Sequence, residues 1–225
     1  EEFLQALDID FRRVKLRYPR ELQSFEAGQK QYDEWVIPWV ENDGFWTPHE
    51  PPLKNAGLAD LDSFIWPEPI TDSYTEGVRE EAEYKYRNTD YALVACLPHH
   101  CYGVQTTSYF LRGLDNFMID LMENKEFVHK LLDKICDIHI QVYDKYLDAV
   151  GDFIKIVHDR DDMGKQNNSF YSPDLYKEMV YPYQKKLLQF IKQKTNAKIF
   201  FHSCGSISNL LDDMIDAGVD ILNPV

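Results

Sequence analysis

From residue 91 onward, short apolar runs alternate with longer segments that carry an apolar residue every three or four positions. The first run, residues 91–97, is unbroken and typical of a strand buried on both faces. Similar runs predict strands at residues 153–157, 197–201 and 219–222. The clearest helix is predicted over residues 125–150, where the apolar positions form one stripe. Strands that alternate with helices predict a parallel sheet with right-handed crossovers.

Local signals predict the ends of two later helices. Ser172 is a suitable N-cap and Pro173 suits the first helical position. This helix should run to about Lys194 with a kink at Pro182, because proline removes one backbone donor. Gly218 is predicted to close the following amphipathic helix.

The first 72 residues show poor periodicity. An extended stretch over residues 11–18 precedes a segment rich in aromatic residues and proline, from Trp35 to Pro69. Disordered segments tend to lack aromatic residues, so we expect ordered loops that pack on a larger domain and are a candidate cover for a pocket. The sequence therefore predicts two parts, an irregular segment at 1–72 and a partial β/α barrel at 73–225.

Composition narrows the classes of function. The 225 residues carry a formal charge of −14, which opposes binding to nucleic acid or to anionic membranes. No run of about 18 apolar residues could span a bilayer, and the N-terminus lacks the features of a signal peptide. The four scattered cysteines fit a reducing compartment. We therefore expect a soluble, cytoplasmic protein with no nucleic-acid or membrane partner.

The predicted strands favour a barrel over an open nucleotide-binding sheet, because no glycine-rich phosphate loop follows any of them. The chain stops at Val225, directly after the fourth predicted strand. Four strands cannot close a barrel of eight. We therefore expect an α/β protein of the parallel (β/α)8 TIM-barrel type, present as an incomplete fragment.

Polar residues follow the carboxyl end of each predicted strand, which is the active face of a β/α barrel. They are His99, His100 and Cys101 after the first strand, residues 158–162 after the second, residues 202–204 after the third, and Asn223 after the fourth. Because four such groups occur at the same end of successive strands, they predict a shared site.

His202 and Cys204 stand two positions apart at a strand end, so their side chains should point the same way. An imidazole and a thiolate suit zinc, and a catalytic zinc needs three protein ligands and an open fourth position. The third ligand could be Cys101, His99, His100 or His158. The alternative is a buried thiol beside a hydrogen-bonded histidine.

The run from Asp159 to Asp162 holds three carboxylates and Arg160. These like charges are too many to be buried without partners, so we expect some of them to face the pocket. The alternative is a solvated loop in which Arg160 pairs with a neighbouring carboxylate.

Several motifs in order resemble the uroporphyrinogen decarboxylase superfamily over roughly residues 90–225. They are the segments 113–121, Asp161 to Gln166, Ser172-Pro173 with Pro182-Tyr183, His202 to Ile207, and Gly218 to Pro224. The superfamily is a β/α barrel with its site at the carboxyl ends of the strands. The resemblance therefore implies the same fold and the same active face here.

Within the superfamily, the pattern His202-x-Cys204-Gly is similar to the zinc-dependent methylcobalamin:coenzyme M methyltransferase-like branch. This resemblance implies that His202 and Cys204 bind zinc together with a downstream cysteine, expected beyond Val225. It also implies methyl transfer from a corrinoid, carried by a partner protein, to a thiol that the zinc activates.

Position at this edge makes Asp161 and Asp162 candidate catalytic residues that orient the substrate. Further candidates for substrate binding are His100, His158, Gln166 and Asn223.

Two alternatives stay open. The first is a uroporphyrinogen decarboxylase, which removes carboxyl groups from a tetrapyrrole without a cofactor. Members of that group use an aspartate and arginines from an amino-terminal motif, and we do not find this motif in the chain. The second is a corrinoid- or tetrapyrrole-binding protein without catalysis. The expected partners are accordingly a corrinoid protein or a small tetrapyrrole or thiol substrate. The sequence does not determine the oligomeric state, and the resemblance leaves a homodimer possible, since superfamily members often pair.

Overall fold

The computed structural model describes residues 2–17, 31–96 and 101–224. Its strands are β1 (Phe11–Val14), β2 (Gln31–Tyr32), β3 (Pro38–Asn42), β4 (Phe45–Pro48), β5 (Ala92–Cys96), β6 (Ile156–Arg160), β7 (Lys198–His202) and β8 (Ile221–Asn223). Its α-helices are α1 (Glu2–Ala6), α2 (Asp60–Ser63), α3 (Val78–Asn88), α4 (Val104–Arg112), α5 (Leu114–Glu123), α6 (Lys125–Val150), α7 (Pro173–Met179), α8 (Tyr181–Lys194) and α9 (Leu211–Ala217).

Five strands form one parallel sheet in the order β1-β5-β6-β7-β8. The order in space follows the order along the chain, with no point at which it reverses. An open doubly wound sheet would reverse its strand order, whereas a β/α barrel would not. The fold is therefore of the parallel β/α barrel type, as predicted.

The segment between residues 31 and 48 forms a small antiparallel sheet, β2-β3-β4. Asp33 organises it, because its carboxylate accepts hydrogen bonds from the backbone amides of Trp35 and Ile37 and from the indole of Trp39. All three of these apolar side chains are buried in the core. The aromatic segment is thus ordered and packed, in keeping with its composition.

Two details of the sequence interpretation are wrong. The sequence predicts that residues 11–18 are extended but places them outside the barrel, whereas β1 within this stretch is a full member of the parallel sheet and pairs with β5. Four residues are too few to show a convincing period. The second predicted strand is shifted by three residues, because Phe153 and Ile154 are buried in the turn after α6. A division of the chain at residue 72 stays a prediction.

Several local predictions are confirmed. Helix α6 spans the predicted residues 125–150. The Ser172 hydroxyl accepts a hydrogen bond from Leu175 N and caps α7, and Gly218 follows α9 with φ of +120°. The expected kink is a full break at Val180, and Pro182 lies in the first turn of α8, where its missing donor costs nothing.

The helices cover the sheet and bury a continuous apolar core in which α6 packs against α4, α5 and α8. No helix in the described parts of the chain combines the length and the apolar character needed to cross a bilayer. The polar residues of the candidate site lie at the edge of the sheet where the strands have their carboxyl ends.

Candidate functional site

The alternation of side chains along β6 divides the acidic run between two faces of the sheet. His158 and Arg160 are partly exposed on one face, whereas Val157 and Asp159 are buried on the other. The parallel register places Arg160 beside His202, and His202 beside Asn223. We call the partly exposed side the open face. The predicted polar groups of three strands therefore meet on the open face, and His158 and Arg160 are strand residues rather than loop residues.

Asp162, His202 and Cys204 form a compact group at the end of this face. Among the described residues, these three offer a carboxylate oxygen, an imidazole nitrogen and a thiol that all lie within 4.8 Å of one another. His202 Nε2 is 3.3 Å from Cys204 Sγ and 3.8 Å from Asp162 Oδ1. The two predicted metal ligands are thus together, and a carboxylate accompanies them.

The imidazole of His202 is held from its other side. His202 Nδ1 lies 2.9 Å from Asn223 Oδ1, an oxygen that can only accept a hydrogen bond. The proton therefore belongs on Nδ1, which leaves the lone pair of Nε2 directed at the group. A metal-binding histidine is commonly fixed in this way by an acceptor on its outer nitrogen. Asn223 therefore orients His202 in this structure, and its predicted role in substrate binding stays a prediction.

Asp162 is fixed by the backbone of the opposite loop, because its Oδ1 accepts a hydrogen bond from Cys204 N at 2.9 Å. The two loops also touch backbone to backbone at Gly164 and Gly205. Gly164 N donates to Cys204 O and Ser206 N donates to Lys165 O. A Cβ on Gly205 would lie 2.3 Å from Gly164 C, and Gly205 has φ of +75°. Glycine at 205 is therefore required for the approach that brings Cys204 to Asp162.

Asp161 has a different role from Asp162. It is 1% exposed, and its carboxylate accepts hydrogen bonds from Gln105 N, from Thr106 N and Oγ1, and from Gln184 Nε2. The two amides belong to the first turn of α4, where no intrahelical acceptor exists. Asp161 thus joins β6 to the start of α4, and its described contacts are structural.

Sequence reasoning did not identify these partners of Asp161. Gln105 and Gln184 are both buried, and Gln105 Nε2 also donates to Asp162 O. One local signal was present in the sequence: Gly103 precedes helix α4 and has no side chain that could cap it. The missing acceptor had to come from elsewhere in the fold, and Asp161 at the end of the adjacent strand supplies it.

Two titratable side chains on the open face, His158 and Cys204, have shifted pKa values. Burial and then the charge of Arg160 lower the pKa of His158 to about 4, with smaller effects of Arg13 and His202. Burial and then the carboxylate of Asp162 raise the pKa of the Cys204 thiol, while Arg160 opposes them. His158 is therefore neutral near pH 7. A thiolate at position 204 would need a further positive charge, of the kind that a bound cation supplies.

On the buried face, desolvation raises the pKa of Asp159 to about 7 and that of Asp161 to about 6. The cost of desolvation is better offset at Asp161 than at Asp159, because the carboxylate of Asp161 accepts four hydrogen bonds. For Asp159 the side-chain donor is Tyr143, whose hydroxyl is 3.4 Å from Oδ1.

The other predicted site residues are scattered. His158 is on the open face, where its ring packs edge-on against Phe200 at 5.2 Å. Gln166 is exposed in the loop after β6, and none of the described side-chain contacts joins it to Asp162, His202 or Cys204. Cys101 is buried and belongs to a different environment. His99 and His100 lie outside the described residues.

Comparisons with known proteins agree with this architecture. The family model described as uroporphyrinogen decarboxylase (URO-D) matches residues 102–224, which is more than half of the chain. A solved methyltransferase from Methanosarcina mazei superposes with a TM-score of 0.60 at 16% sequence identity. That match covers 97% of this chain and 58% of the methyltransferase, so this chain spans less than two thirds of its length. No curated protein sequence matches.

Proposed function

The chain belongs to the uroporphyrinogen decarboxylase family, and from this membership we propose that it is a zinc-dependent enzyme that transfers a methyl group from a corrinoid to a thiol. The observation that carries the proposal is the convergence of Asp162, His202 and Cys204 on one point. The superposed structure of a methyltransferase supports the same fold and does not by itself specify the reaction.

The donor set fits zinc. Thiolate, imidazole and carboxylate are all zinc ligands, and three protein ligands leave a fourth position for a substrate. The lone pair of His202 Nε2 is directed at the group because Nδ1 donates to Asn223. Cys204 is exposed, so a substrate can reach the group from the open face. Asp162 is a third candidate ligand within this chain, in addition to the downstream cysteine that the resemblance implies.

The residues of this chain would have distinct tasks. His202, Cys204 and Asp162 would hold the metal, and Asn223 would keep the imidazole in the required tautomer. The backbone contact of Gly205 with Gly164 would fix the distance between the two loops. Zinc in such a site lowers the pKa of a bound thiol, so that the nucleophilic thiolate exists at neutral pH. A corrinoid presented at the open face would supply the methyl group and would keep the electron pair of its cobalt–carbon bond, while His202, Cys204 and Asp162 would hold the metal that binds the accepting thiol.

Zinc analysis of the purified protein tests the proposal. We expect about one zinc per chain, lost in Cys204→Ala and retained in Cys96→Ala, a matched change at a cysteine outside the group. Methyl transfer from methylcobalamin to a thiol should be lost in the first variant and kept in the second. Zinc that remains in Cys204→Ala would contradict the ligand assignment.

A cofactor-free decarboxylase is the second candidate, favoured by the positive charges of Arg13 and Arg160 around His158. Such a face suits the carboxylates of a porphyrinogen. A protein without zinc that decarboxylates a porphyrinogen would establish this candidate. Binding of a corrinoid or tetrapyrrole without turnover, in a protein that holds no zinc, would indicate a binding protein.

A further inference from the structure

A cavity lies apart from the group of Asp162, His202 and Cys204, between the amino-terminal part of the chain and helix α6. Its volume is about 310 Å³, at the lower end of the range of about 300–1,000 Å³ for small-molecule pockets. Trp35, Trp66 and Tyr74 contribute aromatic walls, and Glu34 and Glu68 contribute carboxylates. None of Asp162, His202 and Cys204 lines it. The cavity is therefore a separate candidate site that the proposed function does not use.

Two tryptophan rings form a corner of this cavity. The ring centroids of Trp35 and Trp66 are 6.5 Å apart, and their planes are nearly perpendicular at 89°. In this T-shaped contact the edge of one ring meets the electron-rich face of the other, and both rings line the cavity. Such faces attract organic cations, and tryptophan attracts them most strongly.

Both rings are held in place before any ligand binds. Trp35 is 1% exposed, and its backbone amide donates to Asp33. The indole nitrogen of Trp66 donates to Leu61 O at 3.0 Å, and Phe64 packs edge-on against the same ring at 4.9 Å. The corner is thus preorganised, which removes part of the entropic cost of binding.

The charged residues among the described lining of the cavity are both acidic. Glu34 and Glu68 line it, and no lysine or arginine occurs among its described lining residues. The effect of Glu34 is visible at two neighbours, where its charge adds to burial in raising the pKa of Tyr74 and of Cys101. Lys134 Nζ is 5.9 Å from the centroid of Trp66 but is not a lining residue. This position shows that the ring of Trp66 already accepts a cation beside it.

From the tryptophan corner and the two carboxylates, we propose that this cavity binds a small organic ammonium cation. Aromatic faces and negative charge together favour a cation with an apolar surface over a neutral apolar molecule. An inorganic cation would be served less well, because it would keep its water shell in a cavity with mainly apolar walls. Exposed residues, including Ile65 and Glu68, mark where the cavity meets solvent.

Choline is a suitable probe, with its uncharged carbon analogue, in which a tert-butyl group replaces trimethylammonium, as the matched control. Titration of the whole protein, followed by calorimetry and by tryptophan fluorescence, should show saturable binding of choline in the millimolar range or tighter. The analogue should bind roughly threefold to thirtyfold more weakly, the range expected for cation–π attraction. Equal affinity for the two probes, or no saturable binding of choline, would overturn the proposal.

Two variants locate the binding. Trp66→Leu keeps an apolar side chain but removes the ring, and Glu68→Gln removes an exposed charge without a change of shape. Each should weaken choline binding at least about threefold. The controls Trp46→Leu and Glu123→Gln, which alter the same residue types outside the cavity, should bind as the parent protein does. Full affinity in both cavity variants would contradict the assignment.

The proposal is independent of the zinc site. Removal of metal with a chelator, or the change Cys204→Ala, should leave choline affinity unaltered. Loss of choline binding on either treatment would show that the probe binds at the group around Cys204 and not in this cavity.

Discussion

Asp161 and Asp162 are consecutive carboxylates in the same loop, yet they belong to two different regions. Asp161 is buried behind the sheet, where four protein donors surround it. Asp162 lies on the open side beside His202 and Cys204, with one backbone donor on Oδ1. A buried charge whose hydrogen bonds are all made thus stabilises the fold, whereas a half-exposed carboxylate with spare lone pairs is available to a ligand.

The alternation continues back along β6. Asp159 shares the buried side with Asp161, and His158 and Arg160 share the open side with Asp162. One acidic run therefore serves both regions. The alternative of a solvated loop does not hold for Asp159 and Asp161, which are 2% and 1% exposed.

The largest expected effect separates the two aspartates by stability. Asp161→Ala leaves buried donors of Gln105, Thr106 and Gln184 without their acceptor, and should lower the free energy of unfolding by about 3–4 kcal/mol. Asp162→Ala should cost less than about 1 kcal/mol, because water can replace its bond to the exposed Cys204. Denaturant unfolding of both variants measures the difference. Similar losses in the two would break the comparison.

A second prediction concerns the buried side and pH. Desolvation raises the pKa of Asp159 in the folded protein to about 7, well above the usual range of an aspartate. Between about pH 4 and pH 7 the folded state therefore binds the proton more tightly than the unfolded state, so this group makes stability fall as pH rises. Asp159→Asn removes the titration. Between pH 5 and pH 7, the parent protein should lose about 2 kcal/mol of its free energy of unfolding through this group, and the variant should not.

Other buried groups do not obscure this difference. Burial lowers the pKa of His139 to about 3 and that of His158 to about 4, so each makes stability rise with pH up to its unfolded value near 6.5. Desolvation raises the pKa of Asp161 to about 6, so this group makes stability fall as pH rises through the same range. These trends are present in both proteins and cancel when they are compared, apart from the charge interaction between Asp161 and Asp159. Unfolding curves at several pH values provide the measurement, and an unchanged pH dependence in Asp159→Asn would contradict a buried titrating carboxylate.

The smallest expected effect concerns the open side. Asn223→Ala removes the acceptor for His202 Nδ1 while leaving all three candidate ligands in place. Zinc affinity, measured by competition with a chelator, should fall roughly tenfold, or about 1.4 kcal/mol, with little change in stability. Asn209→Ala changes an exposed asparagine that does not contact His202 and should bind zinc as before. Equal affinity in both variants would show that Asn223 does not orient the imidazole.

Much of the fold could be predicted from local patterns. Helix α6 and its boundaries follow from a long apolar stripe, and the caps at Ser172 and Gly218 follow from side-chain chemistry within one turn. The parallel strands were recognised because apolar runs are typical of strands covered on both faces. The extended conformation of residues 11–18 is predicted, but four residues carry too little period to assign β1 to the parallel sheet, and only its pairing with β5 does so.

The candidate site also has features that the sequence determined and features that only the tertiary structure decided. The amino-acid sequence by itself determined that His202 and Cys204 share a side, because that depends only on alternation along one strand. Tertiary structure decided that Asp162 joins them, that Asp161 does not, and that Asn223 fixes His202. These outcomes depend on the register between neighbouring strands and on which helix end needs an acceptor. Contacts between residues that are distant in the chain leave no local pattern in the sequence.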